Sequence, residues 1–161
     1  MDISTLVSRI ASLLIAQNAT LATAESCTGG LIAGALTDLA GSSTWFGYGF
    51  VTYSNEAKLS LGVAKQVLLQ EGAVSEAVVR EMADHARLRA GATWAIAVSG
   101  IAGPSGATPS KPVGMVCFAL TGPKGTMSSS SYFGGDRHAV RHQTVHEALR
   151  LLLVQLEQGT V

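Results

Sequence analysis

Ala24-Glu25-Ser26-Cys27-Thr28-Gly29-Gly30 is the stretch on which the reading of this chain turns. A short β-like run, Thr20-Leu21-Ala22-Thr23-Ala24, leads into it, and a helix-like run over residues 31–39 leaves it. A strand that turns sharply into a helix holds backbone N–H groups unpaired at the helix start, with the positive end of the dipole behind them. Such a turn can hold an anion or stabilise an oxyanion. Here it also carries Ser26 and Cys27 side by side, a carboxylate at Glu25 and a second hydroxyl at Thr28. Ser and Thr are equally favoured as helix N-caps, so this stretch alone leaves a structural and a chemical reading open.

Working outward, Ile3, Leu6, Val7, Ile10, Leu13 and Leu14 recur at helical spacing and predict an amphipathic helix over residues 3–17. The run at 20–24 has the continuous apolar character of a strand buried on both faces. A helix near 28–39 ends at Gly41-Ser42-Ser43, and the aromatic and β-branched residues of 45–53 predict a second strand. Ser54-Asn55 caps a short helix carrying Lys58, and Ser75 opens a longer one reaching about Ala90. Residues 94–99 form a buried strand that runs into a Gly/Pro-rich loop. Runs at 113–121 and 126–133 flank Gly122-Pro123-Lys124-Gly125 and predict a hairpin. Gly134-Gly135-Asp136 then caps a last helix near 136–157. Helices that alternate with strands before a hairpin predict a three-layer α/β/α domain with a mixed β-sheet, spanning 1–161 as one unit.

The composition narrows the function classes. Formal net charge is zero, so no global field draws in nucleic acid or an anionic membrane. The apolar runs are too short to span a bilayer. The start, Met1-Asp2-Ile3-Ser4-Thr5, lacks the basic and apolar parts of a signal peptide, and the two cysteines read as reduced thiols. A cytoplasmic location is expected. Charged residues make up only 14% of the chain, against roughly 25% in an average globular domain. Apolar surface covered between subunits would account for the deficit, and a homo-oligomer is expected.

Lys58 is the anomaly. The chain has four lysines, at 58, 65, 111 and 124. Lys58 is expected in the first turn of a helix, where the dipole disfavours a cation. That dipole, with burial, would push the amine toward its neutral form, as a Ser–Lys pair requires. Tyr53, five residues earlier, could bring its phenol to the same place. A surface lysine paired with Glu56 or Glu71 fits the spacing as well. Ser99-Gly100-Ile101-Ala102-Gly103 leaves the C-terminal end of a buried strand, where α/β sheets bind ligands. Arg137 and Arg141, four apart at the start of the last helix, suit a phosphate, although Asp136 could hold Arg137 in a structural pair. His138, His142 and His146 share a helical face, but nothing nearby completes a metal site and two arginines would repel a cation.

Seven blocks, in order along nearly the whole chain, resemble the CinA C-terminal domain family. They are 24–30, Gly41-Ser42-Ser43, 50–58, Gly72-Ala73-Val74-Ser75, 99–104, Lys111-Pro112-Val113-Gly114 and Gly135-Asp136-Arg137. Without a further N-terminal domain, the chain is similar to the stand-alone form, whose enzymatic members are nicotinamide-nucleotide amidases. The resemblance implies hydrolysis of nicotinamide mononucleotide to nicotinate mononucleotide and ammonia, with no cofactor and no metal. It implies Ser26 as nucleophile, Lys58 as base and Tyr53 as assistant. Together with the residue readings above, it leads us to expect Glu25, Thr28, Gly29, Gly30, Ser43, Ser99, Gly100, Ile101, Ala102, Gly103 and Arg137 around the substrate, with Arg141 added by its spacing from Arg137. Cys27 is the rival nucleophile, because a helix start lowers a thiol's pKa. The non-enzymatic alternative is a nucleotide-binding regulatory module built from the same loops.

Overall fold

The structure is a computed structural model that describes residues 1–159. Its sheet is built from β1 (Leu21–Glu25), β2 (Phe46–Val51), β3 (Trp94–Gly100), β4 (Met115–Gly122) and β5 (Gly125–Tyr132) in the order β2-β1-β3-β4-β5. β1 pairs in parallel with β2 and β3, whereas β3–β4 and β4–β5 are antiparallel. Helices α1 (Ile3–Ala16), α2 (Leu31–Thr37) and α6 (Arg137–Gln158) contribute to the core on one face. Helices α3 (Asn55–Leu61), α4 (Lys65–Glu71) and α5 (Glu76–Ala90) contribute to the core on the other. This is the expected three-layer α/β/α arrangement with a mixed sheet.

The period of two along each strand divides the core by size. Leu21, Ile96, Val98, Val116, Phe118 and Leu120 face α1 and α6. Ala22, Ala24, Ala95, Ala97, Cys117 and Ala119 face α5. Small side chains on that face let α5 lie close to the sheet, and Val78, Val79, Met82, Ala83 and Ala86 of α5 are fully buried against it. Both faces of β1 are covered, so it reads as an unbroken buried run.

Connectivity places the site. From β1 the chain passes through α2 to β2 on one side, then crosses through α3, α4 and α5 to β3 on the other side of β1. The strand order therefore reverses about β1, and its C-terminal end opens into the crevice where such sheets bind ligands. Three loop starts meet there: Ser26 after β1, Thr52 after β2 and the loop after β3. Backbone bonds fix their heights, with Ser26 N–H donating to the Val98 carbonyl (3.1 Å) and Thr52 N–H to the Glu25 carbonyl (2.9 Å).

Two expected boundaries shift. α2 begins at Leu31 rather than near residue 28, because Gly29 N–H returns to the Ser26 carbonyl and Leu31 N–H to the Thr28 carbonyl, making successive turns. The helix is entered through Gly30 at φ 105°, a left-handed conformation that suits glycine. The second strand stops at Val51; Thr52 keeps one bond to β1 through Glu25, and Tyr53 lies beyond the strand. Among the described residues no helix is long and apolar enough to cross a membrane.

Candidate active site

The turn after β1 is built from the inside by Glu25. Its carboxylate is buried and accepts from Thr28 Oγ1 (2.5 Å), Ile32 N–H (2.8 Å) and Ala33 N–H (3.0 Å). A glutamate on the strand thus caps the helix start from below, and Gly30 at the cap position offers no side chain. Ser26 is consequently not the N-cap, and the structural reading of its hydroxyl falls away. Glu25 and Thr28, expected around the substrate, instead bond to each other and to the helix start. Fully buried Thr28 has no hydroxyl free for a ligand.

Ser26 Oγ lies 2.9 Å from Lys58 Nζ and 3.4 Å from the Tyr53 carbonyl. Lys58 Nζ also donates to the carbonyls of Thr52 and Tyr53, both at 3.0 Å. Lys58 is 1% exposed, and among the described residues no carboxylate is paired with it. A buried ammonium without a counter-charge is costly. Burial accordingly pulls the amine from its ordinary 10.5 down to about 8. The expected dipole effect is not the cause: α3 has seven residues, with Ser54 capping it through Ala57 N–H, and Lys58 belongs to its last turn. The surface pairing with Glu56 or Glu71 is not formed. In the neutral amine, two N–H groups can serve the two carbonyls, and the remaining tetrahedral position, a lone pair, then faces Ser26 Oγ.

Tyr53 enters this cluster by its main chain. Its phenol, expected beside Lys58, is on the exposed side and accepts from Arg137 Nη2 at 3.0 Å. Arg137 Nη1 donates to the Gly103 carbonyl at 2.9 Å. The pairing of Arg137 with Asp136 is not made, because Asp136 caps α6 by accepting from Ala139 N–H. Arg141, expected beside Arg137 on a phosphate, donates to the carbonyls of Cys27 (3.0 Å) and Thr28 (3.2 Å).

The loop after β3 closes the other side. Ser99, Ile101 and Ala102 are buried, and a Cβ at Gly100 would press on Val116 and the Met115 carbonyl. Gly103 (φ 80°) lies where a Cβ would stand 2.5 Å from Val113. Ser43 is a correction. It sits in the 3-10 turn Ser42–Thr44 before β2, whose first residue Phe46 is level with Leu21 at the start of β1. Ser26 follows the far end of that strand, roughly 15 Å away at 3.3 Å per residue.

Cys27 is 4% exposed, and burial pushes its thiol up to about 11, opposite to the shift expected from a helix start. Burial therefore makes it a poor thiolate. His138 and His142 stack on each other, and His146 meets the Met1 carbonyl at 2.7 Å. Among the described residues no group of three or more His, Cys, Asp or Glu side chains could hold a metal. An apolar cleft between Trp94, Leu120, Met127 and Gln155 lies at the opposite end of β3 and holds no buried base. Sequence reasoning missed the Thr52 and Tyr53 carbonyls as partners of Lys58. No signal could have pointed to them, since main-chain atoms are common to every residue type.

The α/β/α domain thus sets a buried lysine, with no carboxylate paired to it among the described residues, against a serine just past the end of a buried parallel strand. Residues 3–156 match the CinA C-terminal domain, and the chain belongs to that family. It is 49% identical to the nicotinamide-nucleotide amidohydrolase PncC of Escherichia coli K12, over 99% of this chain and 98% of that protein. It is 52% identical to a putative competence-damage inducible protein of Symbiobacterium thermophilum, over 94% of this chain but only 38% of that longer protein. Among solved structures, the CinA superfamily protein of Enterobacter cloacae matches with a TM-score of 0.94 at 38% identity, covering 97% of this chain and 93% of that one. The competence/damage inducible protein CihA of Agrobacterium tumefaciens matches with 0.93 at 44% identity, covering 98% and 96%.

Proposed function

We propose that residues 1–161 act as one amidase domain that hydrolyses the carboxamide of nicotinamide mononucleotide. The observation that carries this reading is the 2.9 Å approach of a buried, unpaired Lys58 Nζ to Ser26 Oγ. The full-length similarity to the E. coli amidohydrolase supplies the substrate class. Ser26 Oγ attacks the amide carbon while its proton passes to neutral Lys58. The oxyanion meets backbone N–H groups of the turn; those of Cys27 and Thr28 have no oxygen acceptor among the described residues. Lys58 then returns the proton to the departing nitrogen, the C–N bond breaks, and ammonia leaves an ester on Ser26. Water, losing its proton to Lys58, cleaves that ester and gives the carboxylate product.

Arg137 is assigned to the substrate's 5′-phosphate. Two of its N–H groups hold Tyr53 Oη and the Gly103 carbonyl, which orients the guanidinium at the site's rim with further donors available. The test is ammonia release from purified protein given nicotinamide mononucleotide and EDTA. Turnover that resists the chelator is expected. Tight binding of the nucleotide without ammonia would favour the regulatory module, and activity restored only by one metal ion would overturn the mechanism.

A further inference from the structure

α6 begins with two arginines in a stretch where its dipole disfavours cations, and its first turn holds no acidic residue. The two reach different loops. Arg137 spans Tyr53 and Gly103, whereas Arg141 lies across the turn after the nucleophile, with Nη2 close enough to Gly29 that a Cβ there would stand 3.5 Å away. Its Nε donates to the Cys27 carbonyl and its Nη2 to the Thr28 carbonyl. A trans peptide is planar, and its C=O and N–H point in opposite directions. Fixing the Cys27 carbonyl therefore fixes the direction of Thr28 N–H, which has no acceptor among the described residues. Fixing the Thr28 carbonyl does the same for Gly29 N–H, which closes the turn onto the Ser26 carbonyl. Glu25 grips the turn through the Thr28 side chain, and Arg141 grips the same turn through its backbone.

We propose that Arg141 is a positioning residue for the nucleophile turn: it acts through the Cys27 and Thr28 peptide planes to hold Ser26 and its neighbouring N–H donors in register, and does not bind phosphate. The inference rests on the reading of Ser26 as nucleophile. Arg141 suits the task because a guanidinium presents donors in a rigid fork that spans two carbonyls, which a lysine ammonium does not reproduce.

The test uses Arg141→Lys and Arg141→Ala, with nicotinamide mononucleotide and nicotinamide riboside as substrates. A misplacement on the order of 1 Å costs about 10²-fold in rate. Both variants are expected to lose kcat by about that factor on both substrates, with KM nearly unchanged and the alkaline rise of the pH profile in place. A KM increase confined to the phosphorylated substrate, or recovery of activity in Arg141→Lys, would overturn the proposal. Should Arg141→Ala fail to fold, Arg141→Lys, which keeps the charge, carries the test. A second readout is the rate of covalent labelling of Ser26 by an organophosphonyl fluoride, in which Oγ bonds phosphorus, fluoride leaves and Lys58 takes the proton. Labelling slowed about as much as kcat supports the proposal, and wild-type labelling in both variants refutes it. Wild-type protein that labels at Ser26 but releases no ammonia would sink the substrate assignment alone. Failure to label at all would sink the nucleophile and this inference together.

Discussion

Replacing Lys58 by Met separates the electrostatic cost of the buried amine from its chemistry. In the folded protein the amine titrates near 8, against 10.5 when unfolded. The unfolded chain therefore binds more protons wherever pH lies between these values, so stability rises with pH across that window. The shift of 2.5 pH units corresponds to about 3 kcal/mol at 1.36 kcal/mol per unit, a destabilisation present in full well below pH 8 and relieved above 10.5. Linkage puts the recovery between pH 7 and pH 10 at about 2.5 kcal/mol. Lys58→Met has no such group. It also leaves the Thr52 and Tyr53 carbonyls without their donor, a loss that does not depend on pH. Urea unfolding of both proteins from pH 7 to 10 should thus show wild type gaining about 2.5 kcal/mol relative to the variant, while alkaline transitions common to both cancel. With Lys58 as the proposed base, the same proton governs the rate. About one-tenth of Lys58 is neutral at pH 7, so wild-type kcat/KM should climb nearly tenfold per unit below pH 8 and level off above it. A wild-type-minus-variant stability that stays flat, or falls, between pH 7 and 10 would refute the assignment of burial as the cause.

Ser26→Ala and Lys58→Ala should each abolish most turnover, with the double variant little worse than either because the proposed mechanism uses the pair as a unit; steady-state ammonia release measures all three. Cys27→Ala should keep most activity, and wild-type Cys27 should resist iodoacetamide at pH 8, since its thiol is buried with a pKa near 11; mass spectrometry reports the alkylation. Arg137→Ala should lower kcat/KM for nicotinamide mononucleotide by about 10- to 150-fold, the equivalent of a charged hydrogen bond worth about 1.5–3 kcal/mol, with little change for the riboside; parallel losses on both substrates would remove the phosphate role. Tyr48 and Val51 on the edge strand β2, with nearby Tyr53, are each more than half exposed, so sedimentation at micromolar concentration should show an oligomer, and a stable monomer would remove that expectation.

The alternation of buried runs, caps and turn residues made the layers readable in advance. Ser75, Asp136 and Ser54 cap the helices they were expected to cap, and the Pro123-Lys124 turn joins the hairpin, because these are local bargains between a side chain and its next few residues. Ser26 and Lys58 were legible as candidates because their types carry chemistry, and the resemblance joined them. Their 2.9 Å approach was not legible, since the two lie 32 positions apart and meet only when the chain returns β2 beside β1.

What the sequence determined by itself is the set of elements, their order and the residue types present at the ends of the strands, because propensity, periodicity and capping act over a few residues. The tertiary structure decided what each group does. It turned Glu25 and Thr28 inward, moved Ser43 to the far end of the sheet and gave Arg141 to a pair of backbone carbonyls. It also reversed the expected shift of Cys27 and assigned that of Lys58 to burial. The physical reason is common to all of these. Desolvation and hydrogen-bond partnership are set by what the rest of the chain places around a group, and main-chain carbonyls, which hold Lys58 and Arg141 in place, leave no mark in a sequence of side chains.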